Sequence, residues 1–221
     1  METVRPDLMY LSTTDYIQHK FAPGSEGANS LYAMMDKYWA QLDELGAVIA
    51  LTADHGMNAK HDDAGDPNII YLQDEMDRIM GDAVARVILP ITDPYVVHHG
   101  ALGSYATVYL PDDADVSALK TELSAIDGID AVYGNTDGCA QFDLATDRMG
   151  DLILVSSKNV VLGTTASRHD LSGLTVPLRS HGGVTEQTVP LIVSQPVVSL
   201  DQTQQLHNYD IFNLALNHVA H

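Results

Sequence analysis

Apolar positions along this chain form two kinds of pattern, short continuous runs and stripes at helical spacing. Ala47 to Ala53 (Ala-Val-Ile-Ala-Leu-Thr-Ala) is a nearly unbroken apolar run, and it predicts a strand buried on both faces, as in a parallel sheet. Asp7 to Ser12 predicts an earlier buried strand running into Thr13-Thr14-Asp15. Between them, Leu31, Met34, Met35, Tyr38, Leu42 and Leu45 recur at helical spacing. They predict a helix over 28–45, with Met34, Met35 and Trp39 in the core and Gly46 as its C-terminal stop. Phe21 to Glu26 reads as a Pro/Gly loop, which completes a strand–helix–strand unit.

Further along, Ile69 to Leu72 and Ala83 to Pro90 predict strands around a helix over 73–80. From Ser104 the pattern changes to half-exposed strands alternating with short helices. Strands are predicted over 105–110, 128–134 and 151–155, with helices over 116–126 and near Cys139. The fold class expected is α/β: an incomplete sheet with helices on both faces, formed by 1–103 and 156–221, plus a small α+β cap insertion over 104–155. Lys158 to Arg179 has little periodicity, and such long irregular stretches in compact chains usually carry function. Pro190 to Ser194 predicts a final buried strand and Tyr209 to Val219 a closing helix.

Composition narrows what this fold can do. A chain of 221 residues with 45% hydrophobic content can bury a sizeable core. It has no apolar run long enough for a membrane helix, and its first residues carry neither a basic start nor an apolar signal region. A cytoplasmic protein without membrane partners is therefore expected. The net charge of -19, with only 11 Lys and Arg, argues against nucleic acid. The same charge means that an anionic ligand needs a local reversal of field, for which divalent metal ions are the obvious means. A single Cys139 against ten His excludes a disulfide framework and favours nitrogen and oxygen metal ligands.

The candidate chemistry sits at the ends of the predicted strands, where ligands of α/β sheets gather. Asp15 and His19 share one face if a helical turn begins at Asp15, and Asp54-His55-Gly56 follows the run 47–53. The competing reading of Asp15 is a helix N-cap beside an unrelated surface His. Lys60, in a polar glycine-containing stretch, is the nearest cation in sequence and a candidate contact for an anionic substrate group. His61 and Asp62 are candidates for outer contacts, and His98-His99 reads as a turn. Arg168 and Arg179 are further candidate cations, and His181 lies in a Ser-His-Gly-Gly turn.

Asp-x-x-x-His, then Asp-His-Gly after a buried strand, then a late His-Gly beyond an insertion together resemble the alkaline phosphatase superfamily. The wording Thr-Ala-Asp-His-Gly-Met-Asn-Ala-Lys-His-Asp with Arg-Ser-His-Gly-Gly is similar to its phosphonoacetate hydrolases. The resemblance implies two Zn²⁺, one held by Asp15, His19 and His181 and the other partly held by Asp54 and His55. It also implies hydrolysis of the carbon–phosphorus bond of phosphonoacetate to acetate and phosphate. In that family the nucleophilic Thr or Ser precedes the first Asp by a long stretch, so Thr13 and Thr14 stand in the wrong place. The nucleophile is expected upstream of Met1, which leaves the isolated chain inactive and favours a homodimer or pairing with a preceding part.

Other enzymes of the superfamily, phosphodiesterases and phosphomonoesterases acting on phosphate esters, would share every ligand named. A non-catalytic truncated chain would hold one metal and turn nothing over. If the Asp and His residues are only caps and surface groups, His181 should lie more than about 8 Å from Asp15 and His19, since zinc–ligand bonds are near 2 Å.

Overall fold

A computed structural model describes residues 5–90, 101–201 and 203–220. The run at 7–12 does not form the expected buried strand. It is irregular and exposed, with Tyr10 at 78%, because no other described strand pairs with it. Helix α1 (Tyr16–Lys20) follows Asp15, and α2 (Glu26–Glu44) starts at Ser25. Helix α2 ends where Gly46 adopts φ +83° and donates to the Asp43 carbonyl, while Ala47 donates to that of Leu42. These two bonds satisfy the last carbonyls of the helix, and a left-handed residue there favours glycine. The expected core packing of α2 is corrected: Met34 and Tyr38 are exposed, Met35 and Trp39 half-buried, and Ala28 alone in the helix is buried.

Strand β1 (Ala50–Thr52) is shorter than the apolar run that predicted it, and it is only half-buried. Beyond it come β2 (Asn58–Ala59), β3 (Ile69–Tyr71), α3 (Leu72–Met80) and β4 (Arg86–Ile88). The next stretch holds β5 (Tyr105–Tyr109), α4 (Val116–Ser124), β6 (Ile129–Gly134), α5 (Asn135–Phe142) and β7 (Leu152–Ser156). The chain then passes through β8 (Val161–Gly163), β9 (Arg179–Ser180), β10 (Leu191–Val193) and α6 (Ile211–Asn217). No helix among these residues is long and apolar enough to cross a membrane.

The fold is α/β, but its strands do not make one large parallel sheet. Strand β1 pairs antiparallel with β10, and β2 pairs antiparallel with β9. Among the described residues, parallel pairing is confined to β3 and β8. The prediction of buried end strands is corrected likewise, since Ile192 in β10 is 54% exposed. The largest sheet is antiparallel, in the order β4-β5-β7-β6, and takes in β4 from outside the span 104–155.

That sheet holds the main core. Alternation along β5 and β7 puts Ala106, Val108, Leu152 and Leu154 on one face, under Leu72 and Met76 of α3 and Leu119 and Leu123 of α4. All of these are buried, and Leu162 of β8 joins them. The opposite face carries Tyr105, Thr107, Tyr109 and Val155, which line an open cavity.

Gly150, just before β7, shows how closely this sheet is packed. Its amide donates to Thr107 Oγ1 and its carbonyl accepts from Asn135 Nδ2. A methyl group on it would lie 2.5 Å from the Val108 carbonyl oxygen, so the backbone must move to admit one. Gly150→Ala should lower the unfolding free energy by about 1–3 kcal/mol, read as a lower denaturant midpoint at unchanged slope.

Candidate metal centre

The i, i+4 relation between Asp15 and His19 is realised by α1, whose first turn closes through His19 N–H to the Asp15 carbonyl. Asp15 Oδ2 lies 3.0 Å from His19 Nε2. His19 Nδ1 lies 2.7 Å from the Arg179 carbonyl oxygen. A carbonyl only accepts, so Nδ1 donates to it, and Nε2 is the atom turned towards the carboxylate. Arg179 returns the contact, its Nε donating to the Gln18 carbonyl at 2.8 Å, so α1 and β9 are latched in both directions.

Two residues beyond Arg179 the chain leaves β9, and His181 Nε2 comes 3.5 Å from the same Asp15 oxygen. Asp54 and His55 reach this place on the turn after β1. His55 N–H is tied to Asp54 Oδ1, and Gly56 N–H donates to the Glu186 carbonyl at 2.7 Å. His55 Nδ1 lies 2.9 Å from the Gly56 carbonyl, which fixes its tautomer as at His19. Its Nε2 is 3.8 Å from Asp15 Oδ2 and 3.7 Å from Asp54 Oδ2, and its ring stacks on His181 at 3.6 Å.

One carboxylate oxygen therefore faces three imidazoles. Asp15, His19 and His181 offer ligand atoms within 4.8 Å of one another, well inside the separation expected of unrelated caps and surface groups. A carboxylate oxygen so placed among ring nitrogens favours positive charge between them, whether protons or a metal ion. One carboxylate oxygen with two or three imidazole nitrogens is a donor set that suits a borderline divalent ion such as Zn²⁺. His181 is pushed down to about 4, first by burial and then by His55 and His19, against the opposing pull of Asp15 and Asp54. Its ring is thus neutral at ordinary pH, as a metal ligand must be.

Lys60 needs correction. It was expected to face an anionic substrate, but it is fully buried, and its three donors go to Ser104 Oγ, the Lys158 carbonyl and Glu186 Oε1. Burial pulls its ammonium below the usual value while Glu186 pulls it back up. His61 and Asp62 do not touch the cluster: His61 Nδ1 bonds the Asp62 carbonyl, and the Asp62 carboxylate accepts from Ala64 and Asp66 N–H. Arg168 is exposed at the end of a short 3₁₀ turn. His98 and His99 lie outside the described residues.

Sequence reasoning missed Glu186, Ser104 and Asn58, whose hydrogen bonds support these turns from behind. It also missed the cavity beside the cluster, about 590 Å³, which runs from Asp54 and His55 to the open face of the four-stranded sheet. Tyr105, Tyr109, Phe142 and Met149 form its walls, and Arg148 is the one Lys or Arg among the described residues lining it. The alternation of Tyr105, Thr107 and Tyr109 was the available signal, since it marks a face left without a helix.

Compared with known proteins, the sequence matches the type I phosphodiesterase / nucleotide pyrophosphatase family over residues 4–183. The structure superposes on phosphonoacetate hydrolase from Sinorhizobium meliloti in complexes with phosphonoformate and with phosphonoacetate. In both, the TM-score is 0.92 and the identity 56%, covering 98% of this chain and 52% of that one. Murine ectonucleotide pyrophosphatase / phosphodiesterase 5 is similar in fold alone, with TM-score 0.58 and 17% identity, covering 90% of this chain and 50% of that one. The chain thus spans about half the length of these solved structures.

The His181 shift has a sign that can be checked. Its folded value lies below the unfolded one, so its contribution to stability is present in full above about pH 6.5 and is lost as pH falls towards about 4. Buried His169 is shifted in the same direction, by burial and then by Arg168. NMR titration of metal-free protein should place the His181 midpoint near 4, with denaturant midpoints falling over the same window.

Proposed function

The chain belongs to the type I phosphodiesterase / nucleotide pyrophosphatase family of the alkaline phosphatase superfamily, and on that basis we propose that the whole enzyme is a zinc-dependent phosphonoacetate hydrolase. It would cleave the carbon–phosphorus bond to give acetate and phosphate. The observation that carries this reading is the convergence of Asp15, His19 and His181, with His55 stacked alongside, in a chain so similar to a hydrolase seen with phosphonoacetate.

Asp15, His19 and His181 would hold one zinc ion. Asp54 and His55 would hold a second, together with ligands from elsewhere in the enzyme. When bound, the two ions supply Lewis acidity at phosphorus and offset the charge of an anionic substrate. The residues of this chain supply the preorganisation. The Arg179 and Gly56 carbonyls hold His19 and His55 through Nδ1, so that each Nε2 is turned into the cluster to serve its ion. With Lys60 enclosed, Arg148 is, among the described residues lining the cavity, the cation that would meet a substrate carboxylate. Thr13 and Thr14 are exposed in the irregular segment before Asp15, and we place the attacking hydroxyl in the half of the enzyme that has no counterpart here.

A second reading, phosphodiester hydrolysis, is favoured by the size of the cavity. Its volume of about 590 Å³ and its aromatic walls exceed the needs of so small a substrate as phosphonoacetate. Steady-state assays of the full-length protein with phosphonoacetate and with an aryl phosphate diester decide between them. Higher kcat/KM for phosphonoacetate is expected, and preference for the diester would sink the first reading.

Chelation should abolish phosphate release and added zinc should restore it. Asp15→Asn or His19→Ala should lower zinc affinity by at least the roughly 10–100-fold that loss of an outer partner costs. Titration with a chromophoric zinc chelator provides the measure.

A further inference from the structure

Lys60 and Glu186 are, respectively, 0% and 2% exposed, and the side-chain hydrogen bonds described for them go to groups other than Asp15, His19, His55 and His181. Burying two opposite charges is costly unless their lone pairs and protons are matched, and here Ser104 and the Lys158 carbonyl match Lys60 while Asn58, Thr185 and Gly183 match Glu186. Glu186 Oε1 receives Lys60 Nζ at 3.1 Å, Thr185 Oγ1 at 2.7 Å and the Asn58 amide, while Oε2 receives Gly183 N–H at 2.8 Å. The Glu186 carbonyl receives Gly56 N–H. Lys60 also grips Ser104 Oγ at 2.7 Å, and Ser104 N–H in turn holds the His181 carbonyl at 2.9 Å.

The side chains of the pair thus reach β2, just past the Asp54-His55-Gly56 turn, through Asn58, while Gly56 itself is held by the main chain of Glu186. The same side chains reach the His181-Gly182-Gly183 turn through Gly183 and Ser104. These turns present the two imidazoles stacked at 3.6 Å. We propose that Lys60 and Glu186 are positioning residues of the metal centre: their buried ion pair fixes the spacing of His55 and His181, and so sets the affinity and geometry of the bound metal. This inference rests on the zinc-site reading given above.

The test uses full-length protein, zinc affinity measured by competition, and the visible spectrum of the cobalt-substituted form, which reports ligand geometry without turnover. Lys60→Met should weaken zinc binding roughly 10–100-fold and shift the cobalt bands, as loss of outer partners does. Leu119→Ala, on the core face of α4, should lower the melting temperature while leaving affinity and spectrum unchanged. Should Lys60→Met fail to fold, Asn58→Ala keeps the ion pair, removes one donor to Glu186, and should give a smaller change in the same direction. Native affinity and spectrum in the folded variant, or an equal affinity loss in Leu119→Ala, would overturn the positioning role alone. Absence of zinc binding in the unaltered protein would overturn the zinc-site reading and this inference together.

Discussion

A single carboxylate oxygen, that of Asp15, sits within 3.8 Å of the Nε2 atoms of His19, His181 and His55. Two of those rings have their other nitrogen committed to a carbonyl, so Nε2 is the atom each turns inward. The cluster is anchored by the groups around it. The Arg179 carbonyl, the Gln18 carbonyl and the buried pair of Lys60 and Glu186 provide that support. The local field is consequently set up to receive positive charge, which a chain of net charge -19 otherwise lacks.

How much of this was legible in the sequence depended on the range of the interaction. Asp15 and His19 could be paired from i, i+4 geometry, because the partners share one helical turn. The elements of the four-stranded sheet were read within a few residues of their ends, since alternation and turn residues are local signals. The run at 7–12 was misread as a strand, and the strand at 47–53 as fully buried and parallel, because apolar character reports a preference for burial and not a pairing partner. The first found no strand among the described residues, and the second met β10 antiparallel. Lys60 was misread for a related reason. It stands in a polar stretch, and nothing local reveals that its counter-charge lies 126 positions away.

The molecule distributes its apolar side chains unevenly. Around β4, β5, β6 and β7 they are enclosed, with β7 buried along its whole length. On α2, β10, α6 and the segment before α1, large apolar residues such as Tyr38, Ile192, Phe212 and Leu11 stand in solvent. Exposed apolar positions in such number ordinarily mark surfaces that meet other protein. Local stability follows buried contact, so the enclosed sheet should be the last part to open and the outer elements the first.

The latch between α1 and β9 has a consequence for how the chain folds. The bond from His19 to Arg179 closes 160 positions of sequence, so its loop-closure entropy is met only once the intervening units are in place. Local helices and hairpins form early, and a contact of that span belongs among the late events. The ligand cluster then has no existence in partly folded states, and an ion captured there binds the native chain alone. Such an ion would draw the folding equilibrium towards completion by mass action and slow the release of α1 from β9.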